Sequence, residues 1–291
     1  MSEAALVLAG HGSTVNGDSG APVYQHAAAL RQRKLFGSVR EAFLKQEPRL
    51  MEVLAGLTEP RVFIVPLFMS EGYFSDEVIP RQLGLRNEGL ASYPRVQRRG
   101  AQWMGYCSPV GTHPRLAEAV LARARAAIAA HPGADVPQLS ETALFLAGHG
   151  TGKNENSRKA VEAHAAAVRE LGLYAEVQAV FLEEEPRLAD CPRLTACQDL
   201  VVVPCFISEG MHAKEDLPVL LGEPAAAVRA RLDQRQPPWR NPTERRGKRL
   251  WLAESVGSDP LVAEIVVERV FLLLRQCGPD LITPCNGKRS P

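Results

Sequence analysis

The chain has 291 residues, 45% of them hydrophobic and 23% charged, the make-up of an ordinary soluble globular protein. A net charge of +1 argues against nucleic acid as a main partner. No apolar run approaches the ~20 residues of a membrane span, and the Met1-Ser2-Glu3 start lacks the basic segment of a secretory signal. These features place the protein in the cytoplasm, away from membranes. Six cysteines, at 107, 191, 197, 205, 277 and 285, form no C-x-x-C pair and read as free thiols in a reducing compartment.

The apolar run Ala4–Ala9 closes on Gly10-His11-Gly12, which predicts a buried strand and a tight turn at its carboxyl end. An Ala-rich helix is expected over Ala21–Gln32, a second strand over Val39–Phe43, and a helix leading to a third strand, Arg61–Phe68. A fourth strand is expected near Gln102–Tyr106, with a last helix after Pro114. Residues 131–141, rich in Pro and Gly at their start, read as a linker.

The order then repeats. Strands are expected at Ala143–Ala147, Glu176–Leu182, Leu200–Phe206 and Leu250–Ala253, a helix at Ser157–Leu171, and a last helix after Pro260. Leu8-Ala9-Gly10-His11-Gly12 returns as Leu146-Ala147-Gly148-His149-Gly150, 138 positions on. The same offset carries His26 to His164, Glu47-Pro48-Arg49-Leu50 to Glu185-Pro186-Arg187-Leu188, and Ser70-Glu71-Gly72 to Ser208-Glu209-Gly210. A register held over that span is a duplication. The fold class is therefore α/β: two repeated parallel-sheet α/β domains, pseudo-twofold related, with a cleft between them. The repeats occupy 1–130 and 142–276, and 277–291 is a tail. Before the last helix the offset rises to 146 (Pro114 against Pro260), an insertion that falls around Pro237-Pro238-Trp239-Arg240.

Ligands in such sheets collect beyond the carboxyl ends of the strands. There the second repeat carries His149, Glu183 and His212, and the first carries His11, Lys45 and Phe74. Two imidazoles and a carboxylate suit Fe²⁺, Co²⁺, Ni²⁺ or Zn²⁺. Lys45 would repel a cation and Phe74 cannot ligate one, so the first repeat reads as a disarmed site. A histidine after a strand is more often structural than a ligand, but Phe74 shows that the fold tolerates an apolar group at the third position. Asp216, whose twin is Val78, either caps a helix near Pro218 or orients an imidazole from behind. Residues 219–250 hold seven Arg and Lys248 against Glu223, Asp233 and Glu244, and residues 81–100 hold five Arg against Glu88. A solvated face is the bland reading of these basic segments; an anionic small-molecule partner is the sharper one.

Gly148-His149-Gly150-Thr151, Phe181-Leu182-Glu183 with Pro186, and Val203-Pro204-Cys205-Phe206 followed by Gly210-Met211-His212 and Asp216-Leu217-Pro218 resemble the class II chelatases of the sirohydrochlorin cobaltochelatase and ferrochelatase type. The resemblance implies two α/β units around a tetrapyrrole cleft, and it puts metal handling and pyrrole-proton removal on His149, His212 and Glu183. It implies an enzyme, a lyase that inserts Co²⁺ or Fe²⁺ (Ni²⁺ as a further candidate) into an anionic, sirohydrochlorin-like tetrapyrrole, without ATP or an organic cofactor, in cobalamin or siroheme synthesis. The competing readings are a carrier of tetrapyrrole or metal that catalyses nothing, and a metal-dependent hydrolase. Substrate-binding residues and oligomeric state are not legible in the sequence.

Overall fold

The computed structural model describes residues 1–14, 17–87, 92–131, 136–150, 155–210 and 212–277, the side chain of His212 excepted. The first half runs β1 (Ala4–Gly10), α1 (Ala21–Gln32), β2 (Ser38–Phe43), α2 (Leu50–Ala55), β3 (Arg61–Pro66), α3 (Ile79–Gln82), β4 (Val96–Arg99), β5 (Gln102–Tyr106) and α4 (Leu116–Ala129). The second runs β6 (Thr142–Gly148), α5 (Glu155–Glu170), β7 (Glu176–Phe181), β8 (Asp199–Pro204), α6 (Leu217–Leu220), α7 (Ala225–Asp233), β9 (Thr243–Arg245), β10 (Lys248–Leu252) and α8 (Leu261–Cys277).

Each half builds one five-stranded sheet, in the orders β2-β1-β3-β5-β4 and β7-β6-β8-β10-β9. Four strands of each are parallel. The fifth, β4 or β9, is an antiparallel edge, so the sheets are mixed where wholly parallel ones were expected. The central strands β1 and β6 are buried along their whole length, which is why their sequences are unbroken apolar runs without alternation. The helix expected before β8 is instead a 3₁₀ segment, Leu188–Arg193. Pro192 within it lacks the N–H that an α-helix needs.

The two sheets share one interior. A single apolar core runs from Leu6, Leu8 and Phe63 of the first half to Leu144, Val203 and Trp251 of the second. Each outer face has its own smaller core, around Ile64 and Tyr106 in one half and around Phe145 and Leu217 in the other. The last helices are exchanged: α4 packs on β8, β10 and α5, and α8 packs on β3 and α1, while the two helices also touch each other. The buried side of α4 is rich in alanine (Ala117, Ala119, Ala124, Ala127), which lets it lie close to its neighbours. The sequence boundary at 131–141 thus separates the repeats in sequence but not in packing.

Hydrogen bonds repeat the exchange. His26 on α1 donates through Nε2–H to the Gly257 carbonyl at 2.7 Å, and His164 on α5 donates to the Gly111 carbonyl at 2.7 Å. Both receiving glycines sit where a Cβ would overlap the backbone of the preceding loop, at Ile207 for Gly257 and at Met69 for Gly111. Both imidazoles are buried, and burial holds them below their ordinary pKa.

A candidate metal centre at the strand ends of the second half

β6 ends opposite β7, with Gly148 paired to Phe181, and His149 is the first residue beyond the sheet. The turn needs Gly150, whose φ of +69° lies in the left-handed region and whose missing Cβ would stand 3.0 Å from the Phe181 Cβ. The Gly150 carbonyl lies 2.9 Å from His149 Nδ1. A carbonyl can only accept, so the proton of the neutral ring resides on Nδ1 and the lone pair on Nε2. That is the tautomer an Nε2 metal ligand requires.

The next loop is held to the first by its backbone. The Glu183 amide donates to the His149 carbonyl at 3.1 Å, and the Glu183 carboxylate comes within 3.8 Å of His149 Nδ1. The Glu183 side chain is 60% exposed and that of His149 is 37% exposed, so both are within reach of an incoming solute. His212 opens a π-helical turn, His212–Asp216, whose first amides, from Ala213 and Lys214, both donate to the Gly210 carbonyl. Its side chain lies outside the described residues, and among the described side chains no three His, Cys, Asp or Glu groups gather into a metal cluster. Asp216 flanks α6 without making a side-chain capping bond, so the capping role weighed from the sequence is not the one it plays.

A 260 Å³ pocket opens beside His149, lined also by Ser157, Cys205, Ser208 and Gly210, and by Met69 from the first half. Met69 was not singled out from the sequence, since methionine carries no ligand signature beside hard donors. Burial pushes the Cys205 thiol up to about 12, so it stays protonated and is a poor ligand for this pocket.

The first half has the same scaffold with different chemistry. His11 donates from Nδ1 to the Gly12 carbonyl at 2.8 Å, and the Lys45 amide donates to the His11 carbonyl at 2.9 Å. Phe74 packs edge-on against the His11 ring, centroids 4.5 Å apart at 76°, with Tyr73 and Phe68 behind it. An aromatic plug stands where the second half begins its His212 turn.

Part of the charge of the basic segments is neutralised from within. Arg231 and Arg245 converge on Glu223, and Arg249 holds Asp199 through two bonds of 2.6 and 2.7 Å. Lys248 binds the Thr195 and Cys197 carbonyls, each at 2.7 Å. In the first half Arg86 pairs with Asp76 and Glu77, and Arg95 with Glu71. Asp199, Asp76, Glu77 and Glu71 lie outside the two segments, so a count of charges within them misses these partners, and the paired arginines serve the fold. None lines the His149 pocket.

Comparison with known proteins places the fold in a family. The CbiX family profile matches residues 5–127 and 143–272, one copy per half. The chain is 38% identical over 275 residues to a probable sirohydrochlorin cobaltochelatase of Halobacterium salinarum, covering 91% of this chain and 90% of that one. Among solved structures, a multi-domain Deinococcus radiodurans protein with structural similarity to chelatases superposes at a TM-score of 0.71 with 33% identity. That match covers 91% of this chain but 54% of the other, so the chain spans about half of that longer protein. The cobalt complex of the Bacillus subtilis sirohydrochlorin chelatase SirB shares the fold at a TM-score of 0.61 and 15% identity, over 96% of this chain and 98% of that one. With the family profile matched in both halves and a relative this similar along nearly its whole length, the chain belongs to the CbiX family.

Proposed function

We propose that the protein is a sirohydrochlorin chelatase, which inserts Co²⁺ or Fe²⁺ (Ni²⁺ as a third candidate) into an anionic tetrapyrrole in cobalamin or siroheme synthesis. Family membership and the name carried by the Halobacterium salinarum relative support the reaction class. The supporting observation in this chain is the His149 ring, held in its Nδ1–H tautomer beside the Glu183 carboxylate, on a scaffold whose twin bears Lys45 and Phe74.

Insertion exchanges two pyrrole N–H protons for one divalent ion. In this proposal His149, through Nε2, and His212 hold the substrate metal, with Glu183 as the third, anionic ligand. Asp216 supports the set from the π-helical turn. A half-exposed site of this kind binds the ion loosely enough to release it to the ring, which a closed four-ligand cage would not do. Glu183, whose carboxyl stands exposed beside the imidazole, is the candidate acceptor for the pyrrole protons. The scheme uses no nucleotide or organic cofactor.

The test is to mix the full chain with sirohydrochlorin and each metal and to follow the visible spectrum. Turnover over many equivalents, lost in H149A and H212A, is expected. Saturation at one equivalent would make the protein a carrier instead.

A further inference from the structure

One asymmetry between the halves lies behind the candidate site. Glu71 and Glu209 are twins in the repeated Ser-Glu-Gly, yet they are held by different donors. The Glu209 carboxylate accepts the backbone N–H of Ser255, whereas the Glu71 carboxylate accepts from the Arg95 guanidinium at 3.3 Å. The cause is one residue. The counterpart of Ser255 is Pro109, in the same backbone conformation (φ −64°, ψ 150° against φ −64°, ψ 145°) but with no N–H to give.

We propose that Glu209 is a positioning residue of the metal centre: its bond to the Ser255 amide fixes Ser208 and Gly210, which line the pocket beside His149, and the carbonyl from which the turn at His212 starts. This rests on the chelatase reading of His149, Glu183 and His212. Ser208 and Gly210, on either side of Glu209, line the His149 pocket. The Gly210 carbonyl receives the amides that open the π-helical turn beginning at His212. Glu209 therefore stands three residues from the ligand and one residue from the carbonyl that starts its turn. Packing of Gly257 on Ile207 also steadies this loop, but Gly111 packs on Met69 in the same way in the other half. What distinguishes the armed half is the amide-to-carboxylate bond, a charge-assisted contact.

The Ser255 end is itself braced by the other half. Arg123 on α4 donates to Glu254 at 2.6 Å and to Ser258 Oγ at 3.1 Å, and it lies 3.2 Å from Asp259. Gln25 donates to the Ser258 carbonyl at 3.0 Å. The disarmed half thus holds the frame on which the armed half hangs its loop.

Behind Glu209 is a cavity of about 530 Å³, lined by Arg123, His131, Lys214, Trp239, Leu252 and Glu254 among others. The charged and titratable groups facing Glu209 are therefore Arg123, Lys214, Glu254 and His131, with Asp259 behind Arg123. In the first half the matching region carries Arg95, stacked over Tyr93 and Tyr106 at 4.9 and 5.5 Å. Burial raises the Glu209 carboxyl above the usual carboxylate range, and the Ser255 N–H and hydroxyl offset part of that rise.

The experiment is Co²⁺ binding to the full chain, read from the visible absorption of the bound ion, in wild type, E209A, E209Q, S255P, E71A and H149A. Ser255 already has the φ of a proline, so S255P removes its amide and hydroxyl from Glu209 while keeping the backbone path, and it carries the test should E209A fold poorly. E209A and S255P should weaken Co²⁺ binding by roughly tenfold to a hundredfold, as losses behind a ligand generally do. E209Q, which keeps an acceptor, should recover most of the affinity, and E71A should bind as wild type. In the insertion assay E209A should raise the KM for metal and leave that for tetrapyrrole unchanged. Wild-type Co²⁺ affinity in both E209A and S255P, or an equal loss in E71A, would overturn the proposal. Cobalt binding indifferent to H149A would sink the site reading and this inference together.

Discussion

The two halves fold alike but carry different side chains at their strand ends. At the first strand end both have a histidine held in the same tautomer by the next glycine's carbonyl. At the second, Lys45 faces Glu183; at the third, Phe74 covers His11 where its twin position is His212. The lesson is that the Gly-His-Gly turn belongs to the architecture, since it persists beside Lys45 and Phe74 as well as beside Glu183. The chemistry is carried by what surrounds it.

The comparison breaks most decisively under alanine substitution. H149A and H212A should cut insertion by about a hundredfold or more, the scale of losing a group that works in the transition state. H11A should leave the rate within about twofold. Equal losses in all three, measured by initial rates, would mean that the halves share one site. A gain-of-function variant sharpens the same contrast: K45E/F74H in the first half should raise cobalt stoichiometry from one to about two ions per chain, checked by equilibrium dialysis. Next come the turn glycines. G12A and G150A each force an alanine into φ near +68° or +69° and should each lower stability by roughly 1–3 kcal/mol. Denaturant melts should show similar losses, while only G150A should also depress insertion.

The smallest effect concerns the bonds between the halves. His26 and His164 are held neutral by burial, below their ordinary value of 6.5. The unfolded chain therefore takes up protons first as the pH falls. The stability these residues contribute is complete above about pH 6.5 and is lost as the pH drops from there toward their lowered folded values. H26Q and H164Q retain an N–H donor that does not titrate, so each should flatten the fall of the unfolding midpoint between about pH 7 and pH 5. An unchanged slope in the double variant would assign the acid sensitivity to other groups.

Much of this was legible in the residues. The helix expected over Ala21–Gln32 and the strand expected over Gln102–Tyr106 are present with those bounds, because each is a clean local pattern. The third strand stops at Pro66 rather than at Phe68. The edge strands were not legible: Val96–Arg99 and Thr243–Arg245 are short and polar, and only pairing with β5 and β10 makes them strands. The π-helical turns and the exchange of α4 and α8 leave no local mark either, since an alanine-rich helix does not say whose sheet it covers. Within the candidate site, Glu183 and His212 emerged because their twins, Lys45 and Phe74, differ in chemistry, whereas His149, whose twin is His11, rested on its place at a strand end. Glu209 did not, because its twin Glu71 made it look purely architectural. Only the donor 46 positions away, an amide in one half and a proline in the other, tells them apart.

The traded helices have a consequence for dissection of the molecule. A fragment ending after the first half would carry α4 with nothing to cover, and its own sheet would lose the lid that α8 provides over β3. The same holds in mirror image for a fragment starting at β6. Each half is thus a permanent lodger in the other: pruning the chain down to either one would strip it of a wall.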